Sequence, residues 1–112
     1  MARYLTSYKN LRIYQNEDFE LKLSFLDENH NPIDFTNVTL SSQVRPNQNG
    51  YITFNFNISK QNNTIILSLP KSLTSTLPDD YRGEWDLLAI WPDGKFSYLM
   101  RGLIIVEETI TR

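Results

Sequence analysis

The sequence has no cysteine, four glycines and one histidine. Without cysteine, neither disulfides nor thiolate metal sites can form, so we expect stability to come from packing, as in proteins assembled in the cytosol. The glycines are isolated from one another at Gly50, Gly83, Gly94 and Gly102, so the chain has no glycine-rich phosphate-binding loop. These absences predict a protein that needs no cofactor.

Charge of one sign is not concentrated anywhere in the chain. Eleven Lys and Arg residues balance thirteen Asp and Glu residues, and the basic ones are spread from Arg3 to Arg112. No segment approaches the roughly 20 consecutive apolar residues that span a bilayer, and the first nine residues lack the apolar stretch of a cleaved secretion signal. We therefore expect no nucleic-acid partner, no membrane partner and no small-molecule substrate.

Alternation of apolar and polar residues with a period of two is the dominant pattern that the sequence does contain. It is clearest from Phe19 to Phe25, where four apolar residues alternate with polar ones. Such a strand turns one face to a core and the other to water. The same pattern predicts strands at residues 11–14, 38–44, 52–58, 64–69, 80–91 and 95–108.

Two polar segments predict how the middle strands connect. Residues 60–63 form a polar turn, which sets Ile58 opposite Ile65 in a hairpin with apolar side chains facing each other. Residues 71–77, between two prolines, are too few for a stable strand. They predict one turn of helix that crosses from one sheet to the other, with its leucines closing the end of the core.

The last two strands are joined by Pro92-Asp93-Gly94, and Asp-Gly is a strong hairpin signal. A turn at this point fixes the pairing of the two strands. It sets a large indole opposite a glycine, which is a good match in volume. The predicted pairs are Trp91 with Phe96, Ala89 with Tyr98, Leu87 with Met100, Trp85 with Gly102, Tyr81 with Val106, Asp86 with Arg101 and Leu88 with Leu99.

About seven strands in 112 residues predict one all-β domain, an immunoglobulin-like antiparallel β-sandwich with one short helical turn. A small closed barrel is the alternative. The predicted organisation is an N-terminal arm at residues 1–10, the sandwich at 11–108 and a C-terminal tail at 109–112.

One loop resembles the opening of a calcium site, because Asp27, Asn29 and Asn31 occupy alternate positions. It departs from an EF-hand in having Pro32 where glycine is needed and Val38 where a bidentate glutamate is needed. Asp, Asn and Pro are also ordinary turn residues. We therefore predict a turn without a metal.

Catalytic candidates are few. His30 lies in the same polar loop, where a serine–histidine relay would have to be built on a turn. Glu84 and Asp86 lie on one face of a strand, about 6.5–7 Å apart, a separation compatible with sugar hydrolysis. Nearby Arg82 and Arg101 are expected to keep both carboxyls ionised, whereas such catalysis needs one of them protonated. We predict that the protein is not an enzyme.

The outward face of the last hairpin is unusually apolar for a sheet face that meets water. Two explanations are open: the N-terminal stretch from Tyr4 to Tyr8 folds back over it, or another protein chain covers it. A strand register other than the predicted one would remove the patch. The predicted protein interface consists of Leu88, Ile90, Leu99, Leu103 and Ile105 on the hairpin, with Tyr4, Leu5 and Tyr8 from the N-terminal arm.

Several short segments together resemble a family of short tailed-bacteriophage proteins, which are small immunoglobulin-like virion components of the tail, baseplate or neck. The resemblance covers nearly the whole chain from Leu11 onward. It is carried, in order, by Gln-Asn-Glu-Asp-Phe at 15–19, Asn-Pro-Ile-Asp-Phe-Thr-Asn-Val at 31–38, Leu-Pro-Asp-Asp-Tyr at 77–81, Trp-Asp-Leu at 85–87, Pro-Asp-Gly at 92–94, the segment 102–106 and a terminal Thr-Arg at 111–112.

The resemblance implies a non-enzymatic structural component of the virion, assembled in the bacterial host cytoplasm. It would dock onto larger virion proteins in several symmetric copies and carry no cofactor. The family commonly has glycine where this chain has Asn16, Asn37 and Asp80, and Asn and Asp also tolerate a left-handed backbone.

A carbohydrate-binding or host-adhesion module is the alternative function. Sugar-binding proteins present aromatic platforms beside polar groups in a cleft, whereas the predicted patch is aliphatic, which favours a protein partner.

Overall fold

The computed structural model describes residues 7–46, 54–61, 63–78 and 80–108. Within these ranges nine strands and one short helix form two packed sheets, which confirms the predicted all-β sandwich. The elements are β1 (Ser7–Tyr8), β2 (Leu11–Tyr14), β3 (Phe19–Ser24), β4 (Thr39–Arg45), β5 (Phe54–Asn55), β6 (Asn57–Gln61), β7 (Thr64–Leu69), α1 (Lys71–Thr74), β8 (Arg82–Ile90) and β9 (Phe96–Glu107).

The two sheets differ in width. Sheet A has the strand order β1-β9-β8-β4-β5, and β2 pairs with the same strand β9 as β1 does; sheet B has the order β3-β7-β6. Strands that follow each other in sequence, such as β2 and β3 or β7 and β8, lie in different sheets, as in immunoglobulin-like sandwiches. Contrary to the all-antiparallel prediction, β1 and β2 run parallel to β9.

The core lies between the sheets and is built from the inward members of each alternating strand. Aromatic rings meet edge to face at its centre, with the Phe56 and Trp85 centroids 6.0 Å apart. The largest fully buried side chains are Trp85, Phe35, Ile13, Ile65, Leu67, Leu69, Leu87, Leu99, Ile104, Val44, Val106 and Thr74. Helix α1 closes one end, where the buried Thr74 hydroxyl donates to the Glu17 carbonyl at 2.8 Å.

The predicted fourth strand is divided between the two sheets. Phe54–Asn55 pairs with β4 in sheet A, whereas Asn57–Gln61 pairs with β7 in sheet B, and the buried Phe56 lies at the crossing. Ile58 is opposite Leu67 instead of the predicted Ile65, because the pairing already continues to Gln61 opposite Thr64. The shift is by two residues, so the same side chains still face the core.

The last hairpin has the predicted pairing over the part far from its turn, where Trp85 lies opposite Gly102 and Asp86 opposite Arg101. Nearer the turn, a β-bulge between Leu87 and Leu88 changes the register. Such an extra residue reverses which side chains face outward on one strand. The prediction for the turn-proximal half was therefore wrong.

The bulge moves Leu99 from the predicted outer face into the core, where it is 2% exposed. Leu88 is opposite Tyr98, and Ile90 is opposite Phe96. Both aromatic residues consequently lie on the outer face, in place of the predicted Leu99.

Two of the three positions at which the resemblance led us to expect a left-handed backbone have it: φ is 65° at Asn16 and 61° at Asp80, whereas Asn37 does not have a positive φ. The N-terminal boundary also differs from the expected one, since Ser7–Tyr8 pairs with β9 and so belongs to sheet A. Tyr4, Leu5 and the predicted C-terminal tail lie outside the described residues.

Candidate functional site

The outer face of sheet A has an apolar half next to the β8–β9 turn. We call Phe96 and Tyr98 on β9, with Leu88 and Ile90 on β8, the hairpin patch. Phe96 is 68% exposed and Tyr98 41%, while Leu88 and Ile90 are half-buried. The four are direct cross-strand neighbours, so they form one continuous apolar surface.

Next to the hairpin patch lies an open depression of about 530 Å³, which we call the polar depression. Strands β4, β8 and β9 place their outward side chains side by side here, because Arg45 is opposite Glu84 and Asp86 is opposite Arg101. The lining residues are Tyr8, Asn10, Arg45, Glu84, Trp85, Asp86, Tyr98, Arg101, Gly102 and Leu103.

The segment between β1 and β2, residues 9–10, forms one wall of the polar depression. The Lys9 carbonyl lies directly over Gly102, where an added Cβ would be 1.8 Å from its oxygen. The same oxygen accepts a hydrogen bond from the Trp85 indole Nε1 at 2.8 Å. The Asn10 side-chain oxygen accepts from the Leu103 backbone N–H at 3.1 Å. Glycine at position 102 is therefore what allows the N-terminal edge to join the sheet.

Charges of both signs lie close together in the polar depression. Burial raises the pKa of Asp86, and the Gln43 backbone N–H, Arg45 and Arg101 oppose that rise without cancelling it. The Arg101 guanidinium lies 4.8 Å from the centre of the Tyr98 ring. Burial therefore affects the Asp86 carboxyl more than either Arg45 or Arg101 does.

Arg45 is only partly satisfied. Its Nη2 donates to the Gln43 side-chain oxygen, whereas its buried Nε has no acceptor among the described residues. Ion pairs within 4 Å in the described ranges are Arg12–Glu107 at 3.5 Å and Lys22–Glu20 at 3.9 Å. Arg45 and Arg101 therefore form no ion pair within 4 Å with Glu84 or Asp86 among the described residues.

The predicted interface residues are placed as follows. Leu103 is 59% exposed and Tyr8 is 76% exposed, both on the outer face of sheet A. Leu88, Ile90 and Ile105 are half-buried on the same face. Leu99 is in the core and is therefore removed from the set. Whether this face binds a protein stays a prediction.

Sequence reasoning missed Phe96 and Tyr98 as outer-face residues. The sequence signal that could have placed them is a three-residue turn at Pro92-Asp93-Gly94. In the structure the turn has this length, because the Trp91 N–H donates to the Lys95 carbonyl at 2.8 Å. With that closing pair, Phe96 and Tyr98 point outward.

The other candidate sites have structural explanations. The Asp27 carboxylate accepts hydrogen bonds from the backbone N–H groups of Asn29 at 2.8 Å and Asn31 at 3.0 Å, which is an Asx turn. His30 is exposed in that turn. In the part of the chain that the structure describes, no three His, Cys, Asp or Glu side chains group as a metal site, and no helix is long and apolar enough to cross a membrane.

Neither a protein-family model nor a curated protein matches the sequence. Solved structures with a similar arrangement include a 2,6-sialyltransferase from a Photobacterium species of the Vibrionaceae, at 14% identity and a TM-score of 0.43, over 94% of this chain and 18% of that one. Another is a family 123 glycoside hydrolase from Clostridium perfringens, at 10% identity and a TM-score of 0.42, over 95% and 24%. The chain spans less than a quarter of the length of each, and neither likeness bears on activity.

Proposed function

We propose that the chain is a non-enzymatic structural component of a tailed-phage virion, located in the tail, baseplate or neck, that docks onto larger virion proteins in several symmetric copies. The docking surface is the hairpin patch, extended along β9 by Leu103 and Ile105. The family resemblance supplies the setting, and the left-handed backbone at Asn16 and Asp80 supports that resemblance.

The observation that carries the proposal is the exposure of the hairpin patch. Four neighbouring apolar or aromatic side chains occupy a sheet face that would otherwise be polar. Exposed apolar surface of this kind marks contact sites for other macromolecules, and aromatic residues are enriched at the centres of such contacts. Phe96, with the largest exposed ring of the patch, is the expected anchor.

The described part of the N-terminal segment does not cover the hairpin patch. Ser7 and Tyr8 pair with Met100 and Arg101 at the edge of β9, so the segment lies beside the sheet and not across its face. Of the two explanations left open by the sequence, this placement favours a second protein chain as the cover.

Replacing Phe96 with Lys tests the docking surface. Position 96 is largely exposed, so the fold should be retained while a charge is placed in the contact. The matched control is Leu26→Lys, at an apolar residue 57% exposed and outside both sheets. Each variant is expressed in host cells infected by a phage that lacks the gene for this protein. The amount of the variant in purified phage particles is then measured by mass spectrometry.

We expect wild type and Leu26→Lys to be incorporated at equal levels and Phe96→Lys to be lost from particles, with unchanged circular dichroism and melting temperature. Normal incorporation of Phe96→Lys would move the docking surface elsewhere. The absence of the wild-type chain from purified particles would reject the virion role itself.

A further inference from the structure

We propose that the polar depression is a binding site for a neutral saccharide. Arg45, Arg101, Glu84 and Asp86 would contact its hydroxyl groups, and the exposed ring of Tyr8 would pack against a sugar ring. This site lies beside the hairpin patch and adds a ligand to the docking role.

The size and rigidity of the polar depression suit a small ligand. Its volume of about 530 Å³ lies within the range of roughly 300–1,000 Å³ that is usual for such sites. Its wall is fixed by the hydrogen bonds of Trp85 to the Lys9 carbonyl and of Leu103 to Asn10. Groups held in this way lose little freedom on binding, which favours affinity.

The polar groups of the depression suit a ligand with hydroxyl groups better than a ligand with a single charge. Arg45 and Arg101 can only donate hydrogen bonds, whereas the carboxyl oxygens of Glu84 and Asp86 are acceptors. A hydroxyl does both, so a polyol can satisfy adjacent donors and acceptors at once. Two positive and two negative groups balance, which gives the polar depression no net preference for an anion.

Aromatic and apolar residues border these polar groups. Tyr8 stands at one side with most of its ring in solvent, and the exposed Leu103 lies near it on β9. The Tyr98 ring also lines the polar depression and packs against the Arg101 guanidinium. A flat apolar wall next to hydrogen-bonding groups is the arrangement that suits the two sides of a sugar ring.

The unpaired Nε of Arg45 adds a second argument. A buried donor without an acceptor is costly, and such groups are rare in native structures. Arg45 lines the polar depression, so this donor lies beside the space that a ligand would occupy. A saccharide hydroxyl would remove the penalty.

A peptide is the competing ligand. Extended peptides bind sheets by adding a strand at an edge, where backbone groups are unpaired. The polar depression lies in the face of sheet A, where β4, β8 and β9 already pair with their neighbours. Recognition here must therefore use side chains, which favours the saccharide.

The test begins with the purified full-length chain on a glycan array carrying neutral oligosaccharides together with sialylated and sulfated ones. The strongest neutral ligand is then titrated into ¹⁵N-labelled protein and followed by NMR. We expect saturable shifts at the Trp85 indole N–H, Arg101 and Leu103, and none in sheet B.

Two variants and one control locate the site. Arg101→Ala removes a charged hydrogen-bonding group and Tyr8→Ala removes an exposed ring, and each should weaken binding roughly tenfold or more. The control is Arg12→Ala, on the same sheet face but outside the polar depression, which should bind as wild type does. Incorporation into particles should be normal for Arg101→Ala and Arg12→Ala, neither of which lies in the hairpin patch or its extension along β9, so this inference and the docking role can fail separately.

Binding only to anionic glycans, or an array without any signal, would overturn the proposal. So would neutral-glycan shifts that map outside the polar depression. Protection of Arg45, Glu84 and Arg101 by a protein from the particle, with no response to glycans, would overturn the proposal and assign the polar depression to a peptide.

Discussion

The outer faces of the two sheets differ, although their inner faces are alike. On sheet B the outward side chains are mostly polar: Glu20, Lys22, Ser24, Asn57, Ser59, Gln61, Thr64 and Ser68, with Ile66 the apolar member. On sheet A the hairpin patch and the polar depression occupy the equivalent surface. Both sheets bury the same kind of inward residues, so the fold does not require an apolar outer face.

Sheet A is therefore the side of the molecule on which both proposals place a contact surface. The outer face of sheet B has the polar composition that is typical of a sheet face open to water. The hairpin patch and the polar depression of sheet A therefore need a reason other than stability, and the two proposals supply it. The following substitutions test this difference between buried and outward positions by their effects on stability.

The largest effect is expected from shortening Leu99, which the bulge turns inward. Leu99→Ala leaves a cavity and should lower the free energy of unfolding by about 2–5 kcal/mol. Leu103→Ala, four residues along the same strand but exposed, should change it by no more than about 0.5 kcal/mol. Urea denaturation of both variants measures the difference.

Leu67→Ala on the inner face of sheet B is the matched control and should cost as much as Leu99→Ala, since both side chains are fully buried. Equal and small losses for Leu99→Ala and Leu103→Ala would show that the bulge is absent and that Leu99 belongs to the outer face.

A smaller loss of stability is expected from Gly102→Ala, at the edge where β1 and β2 join sheet A. The added methyl group would collide with the Lys9 carbonyl, a backbone atom that can move only if the β1–β2 edge moves. We expect a loss of roughly 1–3 kcal/mol. Hydrogen exchange at the Trp85 indole should become faster, because its acceptor is displaced.

Gly94→Ala is the control for Gly102→Ala. It strains the backbone at φ 88° but has open space around the added carbon, so the protein should be destabilised without faster exchange at the Trp85 indole. Unchanged indole exchange in Gly102→Ala would contradict the role assigned to the glycine.

The smallest effect is expected from Asp86→Asn in the polar depression. Burial raises the pKa of Asp86 in the folded state, so its contribution to stability is fully present below the unfolded pKa and is lost as pH rises through the folded pKa. At neutral pH the amide should therefore be more stable than wild type, by less than about 1 kcal/mol because the group is partly exposed. Thermal unfolding across a pH series measures this.

Asp34→Asn gives the opposite sign and serves as the control. Hydrogen bonds from Thr36 lower the pKa of Asp34, so its contribution is present above the unfolded pKa and is lost as pH falls through the folded pKa. Asp34→Asn should therefore destabilise at neutral pH. A destabilised Asp86→Asn would mean that the carboxylate serves stability and not a ligand.

The alternation of residue types was enough to predict the sandwich and several strands. Residues 11–14 and 64–69 have the predicted bounds, because an apolar residue stands at every second position and is buried in the core. The predicted 52–58 strand could not reveal its division between sheets, since Phe54 and Phe56 are buried in either case. Periodicity reports which face is buried and not which sheet a residue joins.

The candidate site was predicted only in part. Strand β9 is apolar on both faces near the turn, so a slip of one residue places apolar side chains inward in either register. The sequence therefore predicted Leu99 outward, while the structure places Phe96 and Tyr98 there. The polar depression depends on β1 lying beside β9, a parallel pairing between segments far apart in the sequence that no local pattern indicates.

That parallel pairing also has a mechanical consequence. A pull between Ser7 and Glu107 would draw β1 and β2 one way along the sheet and β9 the other way, because the strands run in the same direction. The hydrogen bonds joining them would be loaded together in shear and would not open one after another. We therefore expect the edge formed by β1, β2 and β9 to resist stretching between those two points.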